Sequence, residues 1–192
     1  MKELLLIGTT VFALASGGFT AATKIETTPR PERGNHVSVA MIHKAELRAE
    51  AQAEFLEKQR LQSNTDKVNA AIARLKTHVN KTWYVFSGAT PSGWDCSGLT
   101  MWFYQQLGIE LEHRASKQDT SGTLATDPKP GDIVVFKYRG SKDAYHVGIY
   151  VGNGKMIHAP KHGHATRVED VETFAGNYSD VTYRRLIDTN QN

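Results

Sequence analysis

Hydrophobic and polar positions change their period along this chain. Residues 39–62 place Ile42, Ala45, Ala49, Ala53 and Leu56 at helical spacing among Ala, Glu, Gln, Lys and Arg. That thin, mostly alanine stripe predicts an amphipathic helix packed on a neighbour, supported by the favourable pair Glu54 and Lys58 four residues apart. Ser63-Asn64-Thr65-Asp66 reads as a fresh helix start. Val68, Ile72, Leu75 and Val79 then form a clean apolar face up to about Lys81. A further helix carries Leu99, Phe103 and Leu107 at four-residue intervals with Trp102 alongside, and Gly108 supplies its stop. A polar loop runs through about Pro130. The pattern then becomes that of strands, over 133–138, 145–151 and 155–158, with Gly152-Asn153-Gly154 turning the second into the third. Residues 165–168 and 181–187 are further strand candidates. Helices first and consecutive strands later predict an α+β fold with an antiparallel sheet.

The ends of the chain read differently. Met1-Lys2-Glu3, the apolar run from Leu4 to Leu14 and small residues through Ala22 resemble a signal peptide over 1–22, with Ala13-Leu14-Ala15 or Thr20-Ala21-Ala22 as cleavage candidates. The apolar run is shorter than the about 20 residues a membrane span needs. This predicts a secreted or cell-envelope protein, with a virion-associated protein as the alternative. Residues 23–38, polar and with two prolines, read as a linker. A helical extension at 39–62 and a catalytic domain at 63–192 complete the expected organisation. The composition, 40% hydrophobic and 22% charged residues in 192, is that of an ordinary soluble domain. The net charge of +3 comes from scattered Lys and Arg, which argues against a nucleic-acid partner.

The candidate chemistry centres on Cys96, the one cysteine in the chain, which therefore has no intrachain disulfide partner. Asp95 is a good N-cap for the helix that follows. Cys96 then takes the first helical position, where the helix dipole and a nearby imidazole would lower the thiol pKa. Free first-turn N–H groups there are natural oxyanion donors. The partner histidine has to come from elsewhere. His146 lies in an otherwise apolar strand, and Gly148 removes side-chain bulk on the same face. His158 joins that face only if the Gly152-Asn153-Gly154 turn is a three-residue loop or contains an equivalent bulge; a plain two-residue loop puts it on the opposite face. On the shared face, His158 would accept the N–H of His146 and fix its tautomer. A metal site built from His158, His162 and His164 is a competing reading, but their spacing matches no known zinc pattern. No metal and no cofactor are expected.

At these residues the chain strongly resembles the NlpC/P60 family of cell-wall cysteine peptidases. The matching stretches are Trp83-Tyr84-Val85-Phe86-Ser87-Gly88, Asp95-Cys96-Ser97-Gly98-Leu99, Gly108-Ile109-Glu110-Leu111, Pro130-Gly131-Asp132-Ile133-Val134-Val135-Phe136, the run from His146 through Gly154, and Met156-Ile157-His158-Ala159-Pro160. They occur in the family's order over roughly residues 66–187. The resemblance implies a papain-like α+β fold of N-terminal helices followed by an antiparallel sheet. It implies Cys96 as nucleophile, His146 as base and later acid, and His158 as the residue orienting His146. It places Tyr84 beside the thiol, and Asp95 and Ser97 near the amino end of the substrate peptide. The implied activity is a cysteine endopeptidase that cuts peptidoglycan stem peptides, at the D-glutamyl–diaminopimelate or D-glutamyl–lysine bond, through a Cys96 acyl-enzyme. A phage tail-associated or lytic wall hydrolase with the same chemistry, or a related amidase or acyl-transferase, is the alternative. The expected partner is the stem peptide, with the 39–62 helix docking on its own domain or on an envelope or virion partner. The chain departs from the family pattern at Ser87-Gly88, where two glycines are usual, and at Glu112, where a proline is common, followed by His113 and Arg114. Gln118 still matches a polar position downstream.

Overall fold

The computed structural model describes residues 38–190. The signal-like segment 1–22 and the linker through residue 37 lie outside the described residues. A long helix, α1 (Val39–Lys76), leads into a small hairpin of β1 (Ala89–Thr90) and β2 (Gly93–Trp94). Helix α2 (Cys96–Gln105), the short α3 (Ala115–Gln118) and strand β3 (Thr123–Ala125) follow. Strands β4 (Ile133–Tyr138), β5 (Ala144–Gly152), β6 (Lys155–His158) and β7 (Arg167–Asp170), helix α4 (Val171–Ala175) and strand β8 (Ser179–Arg185) complete the chain. The main sheet has six strands in the order β3-β8-β4-β5-β6-β7, every neighbouring pair antiparallel. This is the α+β architecture expected.

The two expected N-terminal helices are one. Helix α1 runs unbroken through Ser63-Asn64-Thr65-Asp66 for 38 residues, so it crosses the boundary expected between extension and domain. Nothing there forces a break: the segment has no Gly or Pro, and its polar side chains find partners without capping. The Thr65 hydroxyl donates to the Leu61 carbonyl one turn back, Gln62 Nε2 donates to Asp66, and Asn64 Nδ2 donates to the Asp188 carbonyl. The helix divides by burial. Its second half buries Val68, Ala71, Ile72 and Leu75, while residues 38–60 are exposed. The stripe of Ile42, Ala45, Ala49, Ala53 and Leu56 is therefore uncovered among the described residues, not packed on a neighbour.

Strand β4 is buried on both faces and so divides the interior in two. Ile133 and Val135, with Val147, Ile149 and Ile157, pack beneath α1 and α2 against Leu75, Leu99 and Phe103. Val134 and Phe136 face the other way, with Tyr150, Met156, Val171 and Ala175. That both-faces burial explains why Ile133-Val134-Val135-Phe136 reads as a continuous apolar run.

The β5–β6 turn settles the position of His158. Asn153 and Gly154 form a two-residue loop, both with positive φ (53° and 70°), and Gly152 pairs with Lys155. The register shifts between Tyr150 and Gly152, so Val151 is an extra, bulged residue. A two-residue loop alone would send His158 to the wrong face; the bulge returns it. His158 lands beside Gly148, where an added Cβ would lie 3.1 Å from the His158 Cβ and 3.0 Å from the Met156 sulfur. Gly148 is the space that lets the two strands approach here.

Candidate active site

Asp95 organises the start of α2. Its backbone is extended, and Oδ1 accepts from Gly98 N–H at 2.7 Å, from the Ser97 hydroxyl at 3.0 Å and from His113 Nε2 at 2.8 Å. Oδ2 accepts from Ser87 N–H at 3.1 Å. Ser87 stands in the left-handed region (φ 56°), the conformation that a glycine enters freely. The serine in place of the family's usual glycine thus keeps a glycine-like backbone and turns its N–H onto Asp95. A Cβ on Gly98 would come within 1.9 Å of the Gly88 carbonyl oxygen, so the helix start is pressed against the 87–88 loop. Asp95→Ala would leave the donors on Gly98, Ser87 and Ser97 without this acceptor. We expect it to cost about 2–3 kcal/mol in urea unfolding, with Asp95→Asn, which keeps an acceptor oxygen, losing less than half of that. Equal losses in both variants would contradict the cap argument.

Cys96 begins α2, as the sequence predicts, and is half-buried. Its acidity differs from the expectation. Burial, with the Asp95 carboxylate adding to it, pushes the thiol up to about 11; backbone groups of Val147, Ser97 and Cys96 itself act in the opposite direction. Loss of water and a carboxylate one residue away outweigh these backbone hydrogen bonds. The resting group is a thiol.

The Val147 backbone is a hydrogen-bond partner of the Cys96 sulfur, and His146 immediately precedes Val147 on β5. His146 and His158 are both buried, with His146 Nε2 2.7 Å from His158 Nδ1. Their rings meet edge to face, and Phe174 packs on both. Behind them, His158 Nε2 lies 2.9 Å from Glu169 Oε2. Burial holds His146 well below the usual histidine range; His158 adds to this and the Asp95 carboxylate opposes it. Burial, with the Arg167 cation, brings His158 down to about 3. Both imidazoles are neutral at physiological pH. Among the described residues His146 makes its one ring hydrogen bond through Nε2, which leaves Nδ1 unengaged.

Tyr84 packs beside Cys96 in the same cluster. Burial raises its hydroxyl pKa, with Cys96 and Asp95 contributing. Its backbone N–H bonds the His164 carbonyl, which ties the site to the 161–164 loop. Ser97 is buried, its hydroxyl on Asp95 and its carbonyl accepting from Thr100 and from Gln118 Nε2. Fully buried Gln118 also donates to the Glu112 carbonyl, so it staples the 112–118 turn to the helix start. His158 points to His146 and Glu169, not to His162 or His164, and among the described residues no group of three or more His, Cys, Asp or Glu is placed to hold a metal ion.

Two site residues escaped the sequence reading. His113 was visible only as a departure from a family pattern. Glu169 carried no signal at all, because its place behind His158 depends on the β6–β7 register, in which Met156 pairs with Glu169 and His158 with Arg167.

Comparison with known proteins gives the same picture from outside. A probable endopeptidase of Mycobacterium bovis is 38% identical over 102 residues, 52% of this chain and 26% of the relative. The probable endopeptidase p60 of Listeria seeligeri is 44% identical over 94 residues, 48% of this chain and 17% of the relative. The chain thus spans about a quarter or less of the length of these curated relatives. Among solved structures, the NlpC/p60 domain of the peptidoglycan hydrolase SagA superposes with a TM-score of 0.53 at 33% identity, covering 62% of this chain and 98% of that one. NlpC2 from Trichomonas vaginalis gives 0.54 at 34% identity, covering 62% and 46%. The model of the NlpC/P60 family itself matches residues 81–185. That span runs from the loop beside the thiol to the last strand of the sheet, more than half of the sequence, and on it the chain belongs to the NlpC/P60 family.

Proposed function

We propose that this protein is a cysteine endopeptidase acting on peptidoglycan stem peptides, with Cys96 as nucleophile, His146 as general base and acid, and His158 as its orienting partner. The observation that carries the proposal is the buried, neutral His146–His158 pair at 2.7 Å, set one residue from the Val147 backbone that bonds the Cys96 sulfur. A purely structural site has no need of two desolvated imidazoles hydrogen-bonded to each other, one of them on the strand that meets the thiol.

In the proposed reaction His146 Nδ1 takes the thiol proton as the sulfur attacks the scissile carbonyl carbon. Because the resting sulfur is a thiol, proton transfer accompanies attack instead of preceding it. Backbone N–H groups of Cys96 and Ser97, already turned toward the sulfur, stabilise the oxyanion. Collapse breaks the C–N bond, and the leaving amine takes the proton from His146. Water, deprotonated by the same imidazole, then hydrolyses the thioester and restores the thiol. Tyr84, Asp95 and Ser97 line the amino-end side of the substrate in this reading. Asp95 does so with much of its acceptor capacity already engaged within the protein. The substrate bond is D-glutamyl–diaminopimelate or D-glutamyl–lysine, and the setting is the cell envelope or the secreted fraction.

The test is mass spectrometry of fragments released from purified peptidoglycan. Stem peptides cut after D-glutamate are expected. Fragments cut elsewhere would overturn the bond assignment, and products transferred to an added amine in preference to water would overturn hydrolysis.

A further inference from the structure

The hydrogen bonds behind His146 have a direction, and one residue sets it. Glu169 is on β7, its Oε2 2.9 Å from His158 Nε2. The His158 side chain is fully buried, that of Glu169 a quarter exposed. An ionised carboxylate only accepts hydrogen bonds. His158 must therefore carry its proton on Nε2. A neutral imidazole has a single N–H, so His158 Nδ1 is left as an acceptor, and across the 2.7 Å contact His146 must donate from Nε2. The unprotonated nitrogen of His146 is then Nδ1, the one able to receive the thiol proton.

Without the carboxylate the His146–His158 pair has a second arrangement of equal hydrogen-bond count. His158 would donate from Nδ1 to His146 Nε2, and His146 would carry its proton on Nδ1. Its free ring nitrogen would then be occupied by a proton, and it could not act as base. We propose that Glu169 is a positioning residue that selects between these two arrangements, extending the Cys96–His146–His158 set by one member. This rests on the assignment of His146 as base.

Among the described residues, the charged and titratable groups in contact with the Glu169 carboxylate are His158 from β6 and Arg167 from its own strand. Arg167 Nε lies 3.0 Å from the same oxygen as an ion pair, without the alignment of a hydrogen bond. The ion pair therefore does not compete for the geometry of the N–H from His158. Phe174 packs on both imidazoles from α4.

The experiment is long-range proton–nitrogen NMR on the histidines of the full chain, carried in the Cys96→Ala background so that no turnover intervenes. Between pH 6.5 and 8, both His146 and His158 are expected as single tautomers protonated at Nε2. Adding Glu169→Ala should convert them to mixtures or to the Nδ1 form. In the chain that retains Cys96, Glu169→Ala should lower kcat on purified peptidoglycan about tenfold or more, with KM within about twofold. Glu169→Gln, whose carbonyl oxygen can accept the same N–H, should recover most of that loss. His158 protonated at Nδ1 in the parent, or tautomers and kcat unmoved by Glu169→Ala, would overturn the assignment. A parent chain that shows the Nε2 tautomers but releases no fragments would refute the peptidase reading and leave the role of Glu169 intact.

Discussion

Replacing Cys96 by alanine is expected to reduce fragment release from purified peptidoglycan to background, a loss of about 10⁴- to 10⁶-fold in kcat. The chain has no second cysteine to substitute for it. His146 and His158 stay in place, since their contact does not involve the sulfur. The helix start also survives, because Asp95 caps it through Gly98 N–H independently of the Cys96 side chain. The variant should therefore melt within a few degrees of the parent, and the loss is one of chemistry. Cys96→Ser should be nearly as inactive. A hydroxyl is a far weaker acid than a thiol, and the neutral, buried His146 is a base of low strength. Appreciable turnover in either variant would mean that another residue attacks the substrate, and the proposed mechanism would fall.

The two imidazoles predict a second large effect, on stability in mild acid. An unfolded histidine has a pKa near 6.5. In the fold, burial brings His158 to about 3 and holds His146 well below the usual range. Below pH 6.5 the unfolded chain therefore binds protons that the folded chain refuses. The stability these groups contribute is complete above pH 6.5 and drains away as pH falls through the window toward their folded pKa values. Each contributes a slope of about 1.4 kcal/mol per pH unit once well inside that window. Guanidinium unfolding between pH 7 and about 5.5, above the range in which most carboxylates titrate, should show the fall. His158→Gln, which keeps a polar side chain without the titration, should be less stable at pH 7 but lose stability only about half as steeply. A stability flat over that range would show that the pair is protonated or solvated in the fold.

Much of this protein could be read before folding. The apolar runs of β4, β5 and β6 were legible because strands buried on one or both faces have to be apolar in a fixed period. The Asp95 cap and the first helical position of Cys96 were legible because capping is local chemistry. The family motifs were legible because they are contiguous. Boundaries fared worse where polar side chains had two uses: the residues from Ser63 to Asp66 suit a helix start as well as a helix interior, and distant partners such as the Asp188 carbonyl decided between them.

What the sequence by itself determined, then, is the identity of the chemical groups and the local structures that present them: a capped cysteine at a helix start, a histidine in an apolar strand and a second one beyond a glycine-rich turn. Only the tertiary structure decided how these groups behave. The bulge at Val151 brought His158 onto the face of His146, burial raised a thiol pKa that local structure was expected to lower, and the β6–β7 register set Glu169 behind the pair. The reason is physical: acidity and hydrogen-bond direction depend on the surrounding water and on neighbours in space, and residues distant in the chain supply both.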